Sequence, residues 1–416
     1  MPGAAPGIVF DVSTQAAERA ARVLVMALPS IDTAERRARI TARLLVRRPE
    51  PLAVADDLVA LHATDAATVY LSLAARLAEP AVDAVERALY DDVSLVRLLA
   101  MRRTLFVVPV DLAPVVDTAA ARAIAAKERE KLLVFLGEGG GWDAAWLAAA
   151  EQETLAALKR LGPSSGQELG AAVPALQERV TVAVGKPYEA VQTVASRVLR
   201  VMAAENLIRR DRPRGSWTSS SYRWVESAPW PGLPVEEARA ELVRRWLASY
   251  GPGTEDDLKW WTGWPLGAVR TALAAVGAER VVLPQGEPAG REGYVLPGDA
   301  EATAPAEPRA ALLPALDPTP MGWRERSWYT DAAHADRLFD RTGNIGPTVW
   351  WDGRVIGGWA QAADGSVVWR LLEDAGADAL SAVRAEADRL TAFLGGARVT
   401  PRFRTPLERE LSADAS

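Results

Sequence analysis

Two short segments of the chain share one pattern, and that repeat limits the fold more than any other feature. Gly162–Gly170 reads GPSSGQELG and Gly251–Lys259 reads GPGTEDDLK. Both follow Gly-Pro-x-Ser/Thr-x-x-acid-Leu. Ser165 with Glu168, and Thr254 with Asp257, stand at capping-box spacing, so each segment predicts a helix start with proline ending what precedes it. A second helical pattern follows each start. The first is YEAVQTVASRVLRVMAAENLIRR, with Val191, Val194, Val198, Val201 and Met202 on one face; the second is PLGAVRTALAAVG. Each then gives way to a β-hairpin, LIRRDRPRGSWTSSSYRWV with its turn at Arg212–Gly215, and RVVLPQGEPAGREGYVLP. Helix, turn, helix, hairpin is the order of a winged helix.

A third copy fits upstream. ERRARITARLL, AVADDLVAL and AATVYLSLAARL read as helices, followed by a helix at Ala81–Tyr90 and strand-like LAMRRTLFVVPV. Pro297–Ala310 is a Pro/Ala/acidic connector. Beyond it, TVWWDGRVIGGWAQ and GSVVWRLLED alternate around Asp-Gly turns, with one helix at GADALSAVRAEADRLTAFLG. The expected fold class is therefore α+β: three tandem winged-helix units and a small antiparallel barrel or sheet. The expected boundaries are 1–30 for a leader or extra helix, 31–140, 141–230 and 231–300 for the three units, and 301–416 for the β-rich tail.

Composition narrows the chemistry. The 416 residues include no cysteine and two histidines, His62 and His334. Disulfides, iron–sulfur clusters and Cys-based zinc sites are excluded, and no metal or other cofactor is expected. The start of the chain lacks the basic and apolar regions of a signal peptide, and no run of 18 uncharged apolar residues occurs, so a cytoplasmic protein without membrane contact is expected. A net charge of −6 argues against a polyanionic partner only on average. Ser196–Glu226 carries seven arginines against Glu205, Asp211 and Glu226, a local +4 that leaves −10 elsewhere.

That basic stretch is the clearest binding feature. Arg209, Arg210, Arg212, Arg214 and Arg223 surround the tip RGSW, where arginines can neutralise phosphates and Trp217 can enter a groove or wedge at a base step. A solvated Arg-rich turn is the plainer alternative. Arg102 and Arg103 add a weaker basic signal. His62 opens HATD, where a helix ends and the chain turns into the next. His62, Thr64 and Asp65 make an imidazole, a hydroxyl and a carboxylate able to hold a water or stabilise a cation. Equally, Asp65 or Thr64 caps the following helix and His62 packs against it.

With these pieces in place, the chain resembles the AlkZ/YcaQ-like winged-helix DNA glycosylases, which remove alkylated bases and unhook crosslinks. The resemblance rests on LVALHATDAATVYLSL, MRRTLFVV, GPGTEDDLKWWTG, LLPALDPTPMGWRER and GPTVWWDGRVIGGWA, in the family's order. It implies three winged helices forming a concave DNA channel with an appended β-barrel, no cofactor, and damaged double-stranded DNA as partner in the nucleoid. It places His62-Ala63-Thr64 where members carry Gln-Φ-Gln or Gln-Φ-Asp, and Asp65 where an acidic residue often follows. The chain departs from the family there, at Phe106, where members often carry His, and at Glu325, usually Asp. Asp317 and Arg326, in the second hallmark, are expected to support the site or simply to pin a loop. The implied activity is monofunctional excision of bulky or cationic alkylpurines, crosslinks included. The alternative is a non-catalytic winged-helix DNA-binding protein, either a lesion binder or a transcriptional regulator.

Overall fold

Both predicted capping boxes close. In the computed structural model, which describes residues 28–183, 185–284, 290–304 and 306–414, the Ser165 side chain accepts from the Glu168 amide at 3.2 Å. Glu168 in turn accepts from the Ser165 amide at 2.7 Å. Thr254 and Asp257 do the same at 3.1 and 2.9 Å. Each box satisfies two amides that the first helical turn would leave unpaired.

Along the chain, α1 (Thr33–Arg39) continues into a wider turn and leads to α2 (Pro51–Leu58), β1 (Leu61–His62), α3 (Ala66–Ala74) and α4 (Val82–Glu86). Then come β2 (Leu95–Ala100) and β3 (Thr104–Pro109), which with β1 form a sheet in the order β1-β3-β2. Long helices α5 (Arg122–Gly140) and α6 (Ala144–Leu161) precede α7 (Gly166–Ala172), the hairpin β4 (Arg179–Val182) and β5 (Ala190–Thr193), α8 (Ala195–Ala204), and the hairpin β6 (Ile208–Pro213) and β7 (Tyr222–Glu226). Next are α9 (Val235–Tyr250), α10 (Glu255–Thr262), α11 (Leu266–Ala275) and the hairpin β8 (Glu279–Leu283) and β9 (Arg291–Val295). The main chain of residues 29–31 pairs with Val282 and so extends this last hairpin. Apart from residues 28–30, the leader or extra helix expected over 1–30 lies outside the described residues.

Three expectations need correction. The helix expected from Tyr188 begins only at Ala195, because Ala190–Thr193 pairs with Arg179–Val182. β-branched Val191 and Thr193 suit that pleat, and Val191 is exposed, while Val194, Val198, Val201 and Met202 are buried as one face requires. The turn placed at Arg212–Gly215 is longer: β6 runs to Pro213, with a register shift after Arg210, and Arg214–Ser221 forms the connection. Finally, β10 (Ala310–Leu313), β11 (Thr348–Trp351), β12 (Arg354–Gln361) and β13 (Val367–Leu371) form an open sheet in that order. Among the described residues β13 does not pair back to β10, so no barrel closes. The helix α12 (Gly376–Leu394) packs on β10 and β13, and α13 (Pro406–Asp414) packs on β12.

The cores explain where a cleft can form. One apolar cluster joins residues from Ile40 to Leu411, including β2–β3, α9–α11 and the C-terminal sheet. A second runs only from Leu132 to Trp224. Between these two packed bodies the chain leaves an open groove.

Candidate functional site

The segment carrying His62 is held by unusual backbone. Val59 ends α2 with φ 63° and ψ −53°, and the Ala60 amide donates to the Leu58 carbonyl at 2.6 Å. That is a γ-turn of the rare positive-φ form, costly for a β-branched residue. It swings the chain into β1, where His62 pairs with Phe106 and the Ala63 amide donates to Leu105 at 2.8 Å. Opposite, the β2–β3 connection places Arg102 at φ 54° and Arg103 at φ 61°, with the Thr104 amide donating to Met101. Two consecutive left-handed residues suit a tight hairpin, usually as Asn-Gly; as arginines each costs about 1–2 kcal/mol.

Neighbours hold that turn. The Arg102 guanidinium lies 4.3 Å from the Trp260 ring centroid, and Arg103 pairs with Glu128 at 2.6 Å. Gly263, at φ 76°, lets α10 end against Arg102: a Cβ there would stand 3.1 Å from Arg102 Cγ. The hallmark GPGTEDDLKWWTG thus docks α10 against the turn beside His62.

His62 itself is 8% exposed, with the Phe106 ring edge-on at 5.7 Å. Burial, reinforced by the positive charge of Arg102, pulls its imidazole pKa down to about 4. The ring is therefore neutral above about pH 5, and among the described residues nothing hydrogen-bonds its buried Nδ1. Asp65 caps α3: one oxygen accepts from the Ala67 amide at 3.1 Å and the other from the Arg402 amide at 3.2 Å. Asp65→Ala should therefore destabilise the fold by about 1 kcal/mol in urea unfolding, with Asp65→Asn losing much less. Equal losses for the two would show that charge, not capping, is at work.

Thr64, between them, lines a cleft of about 900 Å³ between β2–β3 on one side and α7, α8 and β6–β7 on the other. Among the described residues, six arginines reach this cleft (Arg97, Arg103, Arg200, Arg209, Arg210 and Arg402) against one carboxylate, Glu128. A groove this basic on an acidic protein focuses its field on a polyanion.

The structure thus gathers Thr64, Arg103, Arg209 and Arg210 in one cleft and buries His62, two residues before Thr64, against Phe106. It sends the other predicted residues elsewhere. Trp217 is buried at 7% exposure, its ring 5.0 Å from Tyr70 and 5.8 Å from Phe393, so it is a core residue and not a wing-tip wedge. Arg212 pairs with Glu86 and Asp91, and Arg214 with Glu168. Arg223 is half-buried, its Nε without a partner among the described residues. Asp317 is fully buried against Arg76. Arg326 donates to the Gly343 carbonyl and lies 5.3 Å from the Trp260 ring and 5.0 Å from Phe339. Sequence reasoning missed Arg97, Arg200 and Arg402 as lining residues. Arg200 falls in the basic stretch already noted, whereas nothing near Arg97 or Arg402 in sequence marks them. Among the described residues no cluster of His and carboxylates could hold a metal, and no helix is long and apolar enough to cross a membrane.

With this geometry established, comparison with known proteins is informative. Curated protein sequences give no match. Among solved structures, Streptomyces sahachiroi DNA glycosylase AlkZ superposes with a TM-score of 0.66 over 90% of this chain and 99% of that one, at 21% identity, a likeness of fold. The family model described as "DNA glycosylase AlkZ-like" matches residues 55–393, which include β1, every cleft arginine named above except Arg402, the C-terminal sheet and nearly all of its helix α12. The chain therefore belongs to the AlkZ-like family of DNA glycosylases.

Proposed function

We propose that the protein is a monofunctional DNA glycosylase that excises cationic or bulky alkylpurines from duplex DNA. The observation that carries this reading is the basic cleft with Thr64 on its wall, two residues along β1 and its exit from a buried, neutral His62. In this reading each helix pair with its hairpin, at 31–140, 141–230 and 231–300, acts as a winged helix around the bound duplex. An N7- or N3-alkylated purine is already a cation and leaves without a strong general acid. The enzyme has to steady the sugar oxocarbenium and place a water.

Thr64 presents its hydroxyl to that water from the cleft wall. His62, too weak a base at a pKa of about 4 to take a proton near neutrality, acts as a fixed neutral dipole behind it. Asp65 contributes negative charge close by while its oxygens cap α3. The arginines take the phosphates and leave the base free, and an open groove of this size admits a bulky adduct or one arm of a crosslink. A duplex held this way suits work in the nucleoid.

Single-turnover assays on duplexes carrying N7-alkylguanine, a bulky purine adduct or a crosslink test the reading. Abasic product should form without added metal. Binding should weaken steeply between low and moderate salt, since each neutralised phosphate adds about −0.9 to the slope of log K against log salt. Tight, salt-sensitive binding to every damaged duplex with no abasic product would favour the second reading, a lesion binder. The replacement of the family's glutamines by His62 and Thr64 is the feature that keeps that reading open.

A further inference from the structure

Three of the cleft arginines form a group of their own. Arg97 on β2 lines one side of the groove and Arg200 on α8 and Arg210 on β6 line the other, and α8 packs against both β2 and β6. They are close enough that, after burial, the charges of Arg97 and Arg200 help hold the Arg210 guanidinium below its usual range. No carboxylate pairs with any of the three among the described residues. The nearby acids are engaged elsewhere: Glu128 with Arg103, Glu86 and Asp91 with Arg212. The Arg210 guanidinium lies 4.0 Å from the centroid of the Tyr222 ring, which fixes its plane. The Nε of Arg97 is buried with no hydrogen-bond partner among the described residues.

Converging like charges and an unsatisfied buried donor are both unfavourable for a free protein. Guanidinium groups in this arrangement match the oxygens of a phosphate, which they bind through paired N–H donors. We propose that Arg97, Arg200 and Arg210 form a site for one phosphate group, which sets the register of the damaged strand against Thr64. This rests on the glycosylase reading above, because Thr64 lines the same cleft. The other cleft arginines then add sequence-independent attraction, whereas this group selects one position along the strand.

A phosphate scan tests the proposal. Neutral methylphosphonates are placed one at a time along each strand of a lesion duplex, and affinity is measured for the wild type, Arg200→Gln and Arg210→Gln. One position should weaken wild-type binding roughly tenfold. The same position should have little further effect in either variant, and each variant should lower the salt slope by about 1. A duplex with a 5′-phosphate compared with a 5′-hydroxyl separates an internal phosphodiester from a terminal phosphomonoester. If the sensitive position moves with the 5′-phosphate, the site reads strand ends and not register, and the proposal as stated falls.

Thermal unfolding at low salt with inorganic pyrophosphate gives a readout that needs no DNA. Pyrophosphate should stabilise the wild type and should not stabilise Arg97→Gln or Arg210→Gln. A wild type that binds no DNA but keeps this difference would sink the glycosylase reading and leave an anion site. Salt-sensitive DNA binding with no sensitive position, and equal pyrophosphate effects in all proteins, would overturn the phosphate site alone.

Discussion

His62→Ala is expected to slow single-turnover excision of an N7-alkylguanine by about 10²-fold or more, the usual consequence of losing a fixed polar group at a reacting centre. His62→Gln should retain most of the activity. The imidazole is neutral, so a neutral amide of similar reach can replace it, whereas a proton-accepting role would not survive the exchange. The pH dependence separates the same two roles. With a pKa of about 4, His62 does not change charge between pH 5 and 8, so the rate of the wild type should be flat across that range. A rate that falls with an apparent pKa near 6.5 would mean that the ring titrates in the working enzyme, and the dipole role would be wrong.

Stability gives an independent check on the same burial. Because the folded pKa lies below the unfolded value of 6.5, the unfolded chain binds more protons between those values. His62 should therefore make the protein less stable as pH falls from about 6.5 to about 4, and His62→Gln should remove that part of the pH dependence. Two of the positions where the chain departs from the pattern of the family it resembles, His62 on β1 and Phe106 on β3, are also cross-strand partners. The histidine that members often carry at the second position is absent here, and the chain's own histidine stands directly opposite.

How much of this was legible in sequence depends on the range of the interactions. Capping boxes are local, and Ser165–Glu168 and Thr254–Asp257 formed as their spacing required. The basic stretch was legible as charge, but the use of each arginine was not. Arg209 and Arg210 reach the cleft, while Arg212 is taken by Glu86 and Asp91 on α4 and the turn after it, far away in sequence. Trp217 looked like an exposed tip because its neighbours Gly215, Ser216 and Ser219 are turn residues. Its burial depends on Tyr70 and Phe393, which no local pattern brings to it. That the C-terminal strands stay an open sheet and do not close into the expected barrel was not legible for a similar reason. Closure depends on whether β13 finds β10, and the period-2 alternation of a strand is the same in either case.

Arg76→Ala or Asp317→Ala is expected to cost about 3–5 kcal/mol in urea unfolding, the largest stability effect anticipated for this chain. Both side chains are almost fully buried. Every N–H donor of the Arg76 guanidinium is used. Nε bonds the Leu44 carbonyl, Nη1 the Ser72 carbonyl and Asp317 Oδ2, and Nη2 bonds Asp317 Oδ1 and Thr319 Oγ1. Asp317 also accepts from the Thr319 amide at 2.9 Å. Removing either partner leaves an ion in a dry interior with no counter-charge, which accounts for the size of the loss. Replacing both, as in Arg76→Met with Asp317→Leu, leaves no orphaned charge and should recover a large part of the stability. The pair lies just beyond the C-terminal end of α3, the helix that Asp65 caps at its start, and it ties that helix to the C-terminal hallmark LDPTPMGW. The single variants should therefore also lower excision at temperatures where they remain folded, while leaving its pH dependence unchanged. A loss below about 1 kcal/mol, or a double variant no more stable than the singles, would show that this buried pair does not hold the site in place.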